Sequence, residues 1–198
     1  MESEKAFVAA RELESERLNP LKIKAFLNES GLYDYAVKAL GRRMRTVAEL
    51  RRLMRARVEP GSRGEETVQA VILRLKEQRY LDDRSYAETY ARLRRENDKF
   101  GQRRVRQALG QRGVTSTIVD QVVTESYAKT NEEVLARQYL ERKRLRKPQD
   151  DKETSRIMRR LVAAGFSTGV IYRILRQWDV PEESLSALEN VSDEPQQD

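Results

Sequence analysis

Guanidinium groups dominate the chemistry this chain can offer. Arg42, Arg43 and Arg45 form one cluster, and Arg51, Arg52 and Arg55 the next. Arg94, Arg95, Arg103, Arg104, Arg106 and Arg112 crowd the middle. Arg142, Lys143, Arg144, Arg146 and Lys147 make a run of cations in the last third. A guanidinium stays charged, donates through a planar fork that matches phosphate or carboxylate, and stacks on flat rings. Such clusters suit an anionic surface, whether of nucleic acid or of protein. Basic residues at helix C-termini also complement the helix dipole, at about 0.3–1 kcal/mol each. That role accounts for two or three per helix end. It leaves over the arginines of loops and second helices, which recur at equivalent places along the chain and favour a binding surface.

The remaining reactive side chains read as structure. Asp82-Asp83 could be taken as a paired carboxylate for metal or acid–base work, but two adjacent acids supply too few ligands for a hard cation. They stand immediately before a helical apolar pattern, where a carboxylate accepts unpaired amides and meets the positive end of the dipole. Tyr86 and Tyr90 lie four apart on one helical face. They could stack bases, although an aromatic stripe at helical spacing is more often core. Gly113 and Gly165 fit the left-handed residue that ends a helix, with Thr115 and Ser167 placed to cap the helices that follow. The chain has no histidine and no cysteine. Ser-His and Cys-His pairs, disulfides and the commonest zinc ligands are therefore excluded within it. No glycine-rich phosphate loop is present. We expect no catalytic residue, no cofactor and no metal, and a binding protein rather than an enzyme.

These side chains need elements to position them, and the apolar pattern supplies helices. Val105, Leu109, Gly113, Val114, Ile118 and Val122 match Ile157, Leu161, Gly165, Phe166, Val170 and Ile174 at a constant offset of 52 residues. This is a short helix, a glycine turn and a second helix, made twice. Helices are predicted near 103–112, 116–127, 153–164 and 168–178. Tyr33, Val37 and Leu40 mark a further helix, as do Val47, Leu50, Leu53 and Met54, and Val68, Val71, Ile72 and Leu75. Tyr86, Tyr90 and Leu93 mark another, and Val134, Leu135, Gln138 and Tyr139 the last. Thr46 with Glu49, and Thr130 with Glu133, have capping-box spacing. Glu59 to Gly64 reads as the longest loop, and Lys147 to Asp150 as a second break.

Ala36, Ala87 and Ala136 occupy equivalent places in successive first helices, and Leu50 and Met54 correspond to Val105 and Leu109. The expectation is an all-α fold of three tandem three-helix units, 31–80, 81–130 and 131–180, forming an elongated, curved array. Residues 1–30 are an appendage of uncertain order, and 181–198 an acidic tail whose composition predicts disorder. The net charge of +7 hides an asymmetry. Residues 181–198 carry six acids and no base, residues 1–20 sum to −2, and 21–180 hold +15. No run approaches the ~20 apolar residues of a membrane span, so a soluble, cytoplasmic protein, most simply a monomer, is expected.

Residues 80–114, YLDDRSYAETYARLRRENDKFGQRRVRQALGQRGV, resemble the bacterial recombination regulator RecX family. The matching features are Leu81-Asp82-Asp83, Tyr86-Ala87, Arg94-Arg95, Gly101, and Leu109 with Gly113-Val114. Residues 36–57 resemble the family's opening helices, and the likeness extends over 31–180. The Pro60–Gly64 loop departs from the family's compact first-unit turn. The resemblance implies a non-enzymatic protein that binds the RecA recombinase, lodges in the groove of its filament on single-stranded DNA, and inhibits strand exchange, ATPase and coprotease activity. It places the chain in DNA repair, recombination and the SOS response. The rival reading is a helical module that binds DNA or RNA directly.

Overall fold

A computed structural model describes residues 26–181, and the expectations for 1–25 and 182–198 lie outside these described residues. Nine α-helices follow one another with no strand among the described residues. The first three are α1 (Glu29–Arg42), α2 (Val47–Arg55) and α3 (Ser62–Glu77). Next come α4 (Asp83–Leu93), α5 (Gln102–Gln111) and α6 (Ser116–Tyr127), with a π-turn at Arg94–Asp98 continuing α4. The last are α7 (Glu132–Arg142), α8 (Asp151–Ala163) and α9 (Thr168–Gln177). No described helix is long and apolar enough to cross a membrane.

The helices close three separate cores, one for each set of three. Ala36, Ala87 and Ala136 are all fully buried, so the small residue of each first helix is where its neighbours approach closest. Leu50 and Met54, Val105 and Leu109, and Ile157 and Leu161 supply the second helices' buried faces. Each such side chain contributes about 1.5–3 kcal/mol on burial. Alternation of these core positions with exposed arginines gives the second helices their strong amphipathy. On α1 the buried stripe is Leu32, Ala36 and Ala39, with Tyr33, Val37 and Leu40 flanking it. The large residues sit one position off the stripe because the close helix contact selects alanine. Val134 and Leu93 are likewise solvent-facing, at 50% and 42% exposure.

The caps follow the sequence in part. Thr46 Oγ1 accepts from the Glu49 amide at 3.0 Å, but the capping box is only half made, because the Glu49 carboxylate turns to Arg112 and not back to the Thr46 amide. The cap of α7 is Asn131 rather than Thr130: its side chain accepts from the Glu133 and Val134 amides. An Asn carboxamide one residue later reaches two amides, which a threonine at 130 cannot. Gly113 and Gly165 have φ of +80° and +89°, the left-handed turn expected of them. Thr115 and Ser167 hold the cap positions but make no side-chain cap bond. Ser167 is tied instead to the Glu132 carboxylate, which accepts from its amide at 2.7 Å and its hydroxyl at 2.8 Å. In the first unit α3 begins at Ser62, so the connector is shorter than its Pro-Gly-rich sequence implies. Gly64 is buried there, and a β-carbon on it would fall 1.9 Å from the Glu59 carbonyl oxygen.

The second helices meet end to end. Gly101, at the start of α5, donates its amide to the Ala164 carbonyl at the end of α8 at 2.8 Å, and the Arg103 amide donates to Gly165 O at 3.4 Å. At the start of α2, Thr46 Oγ1 donates to the Arg112 carbonyl at the end of α5 at 2.6 Å. Val47, the first residue of α2, donates its amide to Asp83 Oδ1 of the next unit at 2.8 Å. Each contact pairs groups a helix leaves unsatisfied at its ends, and sets a positive dipole end against a negative one. The equivalent carbonyl at the first unit's outer end, Arg57 O, accepts from the Leu27 amide at 2.8 Å. The last unit closes its own outer end. Asp150 accepts from the Glu153 amide, and the Glu153 carboxylate accepts from the Gln149 amide.

Candidate interaction groove on the middle unit

The middle unit carries an open groove of about 750 Å³ between the end of α4 and α5. Tyr90, Arg94, Asp98, Phe100, Arg104 and Arg112 line it, with Ala163 of the third unit at one end. Its construction begins with the π-turn. An added residue per turn widens the helix, and the chain leaves it through Lys99 in the left-handed region, φ +58°. Phe100 then enters the groove directly before Gly101, where α5 starts. Gly101 must be glycine, because a β-carbon would lie 2.2 Å from Gly165 O.

Each of the three arginines lies over an aromatic ring. Arg94 sits 4.9 Å and Arg112 5.2 Å from the Tyr90 centroid, and Arg104 3.9 Å from that of Phe100. Such contacts are worth about 0.5–1 kcal/mol at exposed sites. Tyr90 stacks in turn on the buried Tyr86, with centroids 6.1 Å apart and planes 15° off parallel. The rings thus serve as a floor that holds cations, one side chain deeper than the anion-facing surface. Tyr127 donates its hydroxyl to the Phe100 carbonyl at 2.7 Å, and burial pushes its pKa well above the usual tyrosine range. It therefore stays a donor and fixes the backbone beneath Phe100.

Two carboxylates meet these cations, Asp98 at Arg94 and Glu49 at Arg112. Asp98 accepts from Arg94 at 2.7 Å and lies 3.9 Å from Arg142 of the third unit. The Asp98 hydrogen bond pushes Arg94 further up in pKa. At the groove's ends, two arginines also join units. Arg112 donates to Glu49 Oε1 at 2.7 Å, and Arg104 to the Ala163 carbonyl at 2.9 Å. The groove therefore spans the unit and touches both junctions.

Other basic candidates divide by surroundings. Arg55 forms a two-pronged pair with Glu65, and Arg51 donates to Gln69 at 2.8 Å. Arg106 reaches Thr124 and Asp120, Arg95 donates to the Ser126 carbonyl, and Arg45 to the Ala39 carbonyl. Arg42, Arg52, Arg103, Lys143, Arg144 and Arg146 are exposed, with no side-chain partner among the described residues, and Arg43 is exposed within the field of Tyr86. Asp82 caps α4, accepting from the Arg84 amide and the Ser85 hydroxyl. The Ser85 bond holds its carboxyl below the ordinary range, whereas burial pushes that of Asp83 up. The sequence did not single out Phe100 or Asp98, and it marked Glu49 only as a capping residue, not as the partner of Arg112. Phe100 next to Gly101, directly after a charged helix end, is the signal that marks the first.

Residues 82–123 match the family model for the second three-helix domain of RecX. The regulatory protein RecX of Pseudomonas entomophila is 33% identical over 148 residues, which cover 73% of this chain and 90% of that protein. The chain belongs to the RecX family. RecX of Thermus thermophilus is 32% identical over 149 residues, covering 75% of the chain and 91% of the relative. RecX of Oceanobacillus iheyensis is 26% identical over 175 residues, 87% of the chain but only 62% of that longer protein. The fold resembles a crystal structure of regulatory protein RecX at a TM-score of 0.60 and 23% identity, covering 75% of this chain and 71% of the other. RecX from Lactobacillus salivarius gives 0.58 at 21% identity, covering 76% and 96%. The aromatic–arginine groove falls within or beside the stretch matched by the family's second domain.

Proposed function

We propose that this chain is a non-enzymatic regulator that binds the RecA recombinase and its filament on single-stranded DNA, restraining ATP hydrolysis, strand exchange and coprotease activity. Membership of the RecX family supports a regulatory role, and the resemblance implies RecA as the target. The observation that carries the reading is the groove: three guanidiniums held over two rings, Arg94 paired with Asp98 and Arg112 with Glu49. Its cations would meet carboxylates of the filament surface, and the exposed arginines of neighbouring units would extend the contact along it. In this reading the chain acts as a monomer in the cytoplasm. Titration into RecA–single-stranded-DNA filaments tests it, with ATP hydrolysis as the readout. A dose-dependent fall is expected. Hydrolysis unaffected by excess protein ends the proposal.

A second reading, direct binding to DNA or RNA, has its own support in the exposed Arg42, Arg52, Arg103, Lys143, Arg144 and Arg146. The rings count against it as base-stacking platforms, since Tyr90 and Phe100 already lie beneath guanidiniums. Tight binding to naked single strands, with a salt slope near −0.7 per neutralised phosphate, would favour this reading over the first.

A further inference from the structure

The joint between the first two units opens into a second hollow, of about 710 Å³, which shares no lining residue with the groove. Leu40 and Met44 from the end of α1, Tyr80 and Leu81 from the link between α3 and α4, and Ile118 of α6 give it an apolar lining. Met44 and Tyr80 are 51% and 59% exposed, so a partner can still bury much of them. The Val47 amide and the Asp83 carboxylate, whose bond ties the two units, lie in its wall, so an occupant touches both units. The fold itself does not demand this lining. On the spacing of Ala36, Ala87 and Ala136, the places of Met44 and Tyr80 fall to Arg95 and Lys129 at the next joint. The hollow there, lined in part by Arg95, Thr130 and Asn131, shrinks to about 220 Å³.

We propose that this hollow docks an acidic peptide segment of a partner protein, with one large apolar side chain entering beside Met44 and Tyr80 and carboxylates flanking it. The charge around the hollow selects that chemistry. Arg45, Lys76 and Arg79 line it. The Arg79 guanidinium is exposed and has no side-chain partner among the described residues. Arg45 commits only its Nε, to the Ala39 carbonyl at 3.3 Å. The two carboxylates of the wall are already engaged. Asp82 accepts from the Arg84 amide and the Ser85 hydroxyl, and Asp83 from the Val47 amide. Open cations thus surround an apolar centre, and a guanidinium fork pairs well with a carboxylate. A peptide can place its acids at the cations alone. A nucleic-acid chain fits less well, because it brings a phosphate with every nucleotide past Asp82 and Asp83 and carries no aliphatic side chain for Leu40, Met44 and Ile118.

The test titrates the full-length chain into a fluorescein-labelled peptide, Asp-Asp-Phe-Asp-Asp, at low salt and reads anisotropy. Neither RecA nor DNA is present, so its outcome is independent of the RecA reading. Saturable binding is expected, at least about tenfold tighter than for the same peptide with Ala in place of Phe. Met44→Asp and Arg79→Glu alter exposed side chains and keep the fold. Each should weaken binding at least about fivefold, whereas Lys152→Glu, on α8 of the third unit, should change it by less than about twofold. No saturable binding up to about 1 mM protein, equal affinity for the Phe and Ala peptides, or equal weakening by Arg79→Glu and Lys152→Glu overturns the proposal. So does displacement of the labelled peptide by oligothymidylate at lower concentration than by unlabelled peptide, which assigns the hollow to single-stranded nucleic acid.

Discussion

Arg112 of the middle unit donates to Glu49 of the first unit at 2.7 Å, with the Glu49 side chain only 11% exposed and its other oxygen unpartnered among the described residues. The same arginine lies over Tyr90 and lends its backbone carbonyl to Thr46. One residue therefore joins two units, holds a ring in the groove and anchors the threonine that caps a helix of its neighbour. Removing it should affect stability before binding. Arg112→Ala leaves a largely buried carboxylate without its cation and should cost about 2–3 kcal/mol in urea unfolding. Glu49→Gln together with Arg112→Met should recover more than half of that loss. If Arg112→Ala unfolds at the wild-type midpoint, the pair does not hold the units together.

Gly101 and Gly110 lie on the same helix segment and should respond oppositely to alanine. A β-carbon at 101 meets Gly165 O at 2.2 Å, whereas one at 110 meets nothing within 4 Å. Gly101→Ala should lose at least about 2 kcal/mol, since backbone rather than a flexible side chain must yield. Gly110→Ala should gain about 0.5–1 kcal/mol from helix propensity. Thermal unfolding of the two variants checks both signs.

Asp82 and Asp83, adjacent in sequence, should give stability of opposite pH dependence. The Asp82 carboxyl is held below its ordinary value of 3.8, so its contribution is present above that pH and fades as acid protonates the folded form. Asp82→Ala should cost about 1 kcal/mol near neutrality, and the difference should vanish at strongly acid pH. Burial raises the Asp83 carboxyl, so its contribution is largest below pH 3.8 and falls as pH rises through the raised value. Asp83→Asn keeps an acceptor for the Val47 amide without the buried charge, and should be as stable as wild type or more so at pH 7. Urea titrations between acid and neutral pH measure both.

Arg144 holds a left-handed conformation, φ +53°, at the end of α7. Arg144→Gly should stabilise the fold by about 0.5–1 kcal/mol by relieving that geometry. It also removes a cation of the 142–147 turn, so filament inhibition should weaken while the melting temperature rises. A variant that changes both in the same direction would contradict the separation of roles.

Arg103 and Lys143 are exposed and unpaired among the described residues, so they can be removed without touching the fold. Arg103→Gln with Lys143→Gln should leave stability within about 0.5 kcal/mol of wild type. It should raise the concentration needed for half-maximal inhibition of RecA–DNA ATP hydrolysis. Should naked single-stranded DNA be the true ligand, the salt slope of DNA binding should fall by about 0.7 for each phosphate no longer neutralised.

Helical periodicity made the helices and the repeat legible, because Leu50, Val105 and Ile157 recur at spacings that only a shared second-helix face explains. Gly113 and Gly165 were readable as turn residues for the same reason. The joints were not readable. Thr46 looked like a local cap, yet its hydroxyl reaches a carbonyl 66 residues away, and Asp83 caps a helix of the preceding unit. Side chains with one clear local use give no sequence signal of a second, distant one. The arginines illustrate the same limit. Spacing put them in clusters, but only packing separates Arg55, spent on Glu65, from Arg52, which faces solvent.

The end-to-end meeting of the second helices sets a measuring scale for this molecule. α5 has ten residues and so is about 15 Å long at 1.5 Å per residue. It cannot stretch, because every turn is closed by its own hydrogen bonds. The joints at its two ends each rest on a few bonds about a glycine, so a change of angle there would break no hydrogen bond within a helix. A partner whose own periodicity differs slightly from that of the chain would be followed by small angular adjustments at these two places, as a jointed rule follows a curve, while each unit keeps its length. Substitutions at Thr46 or Gly101 would then alter which periodicities the chain can track, even where they leave every guanidinium in place.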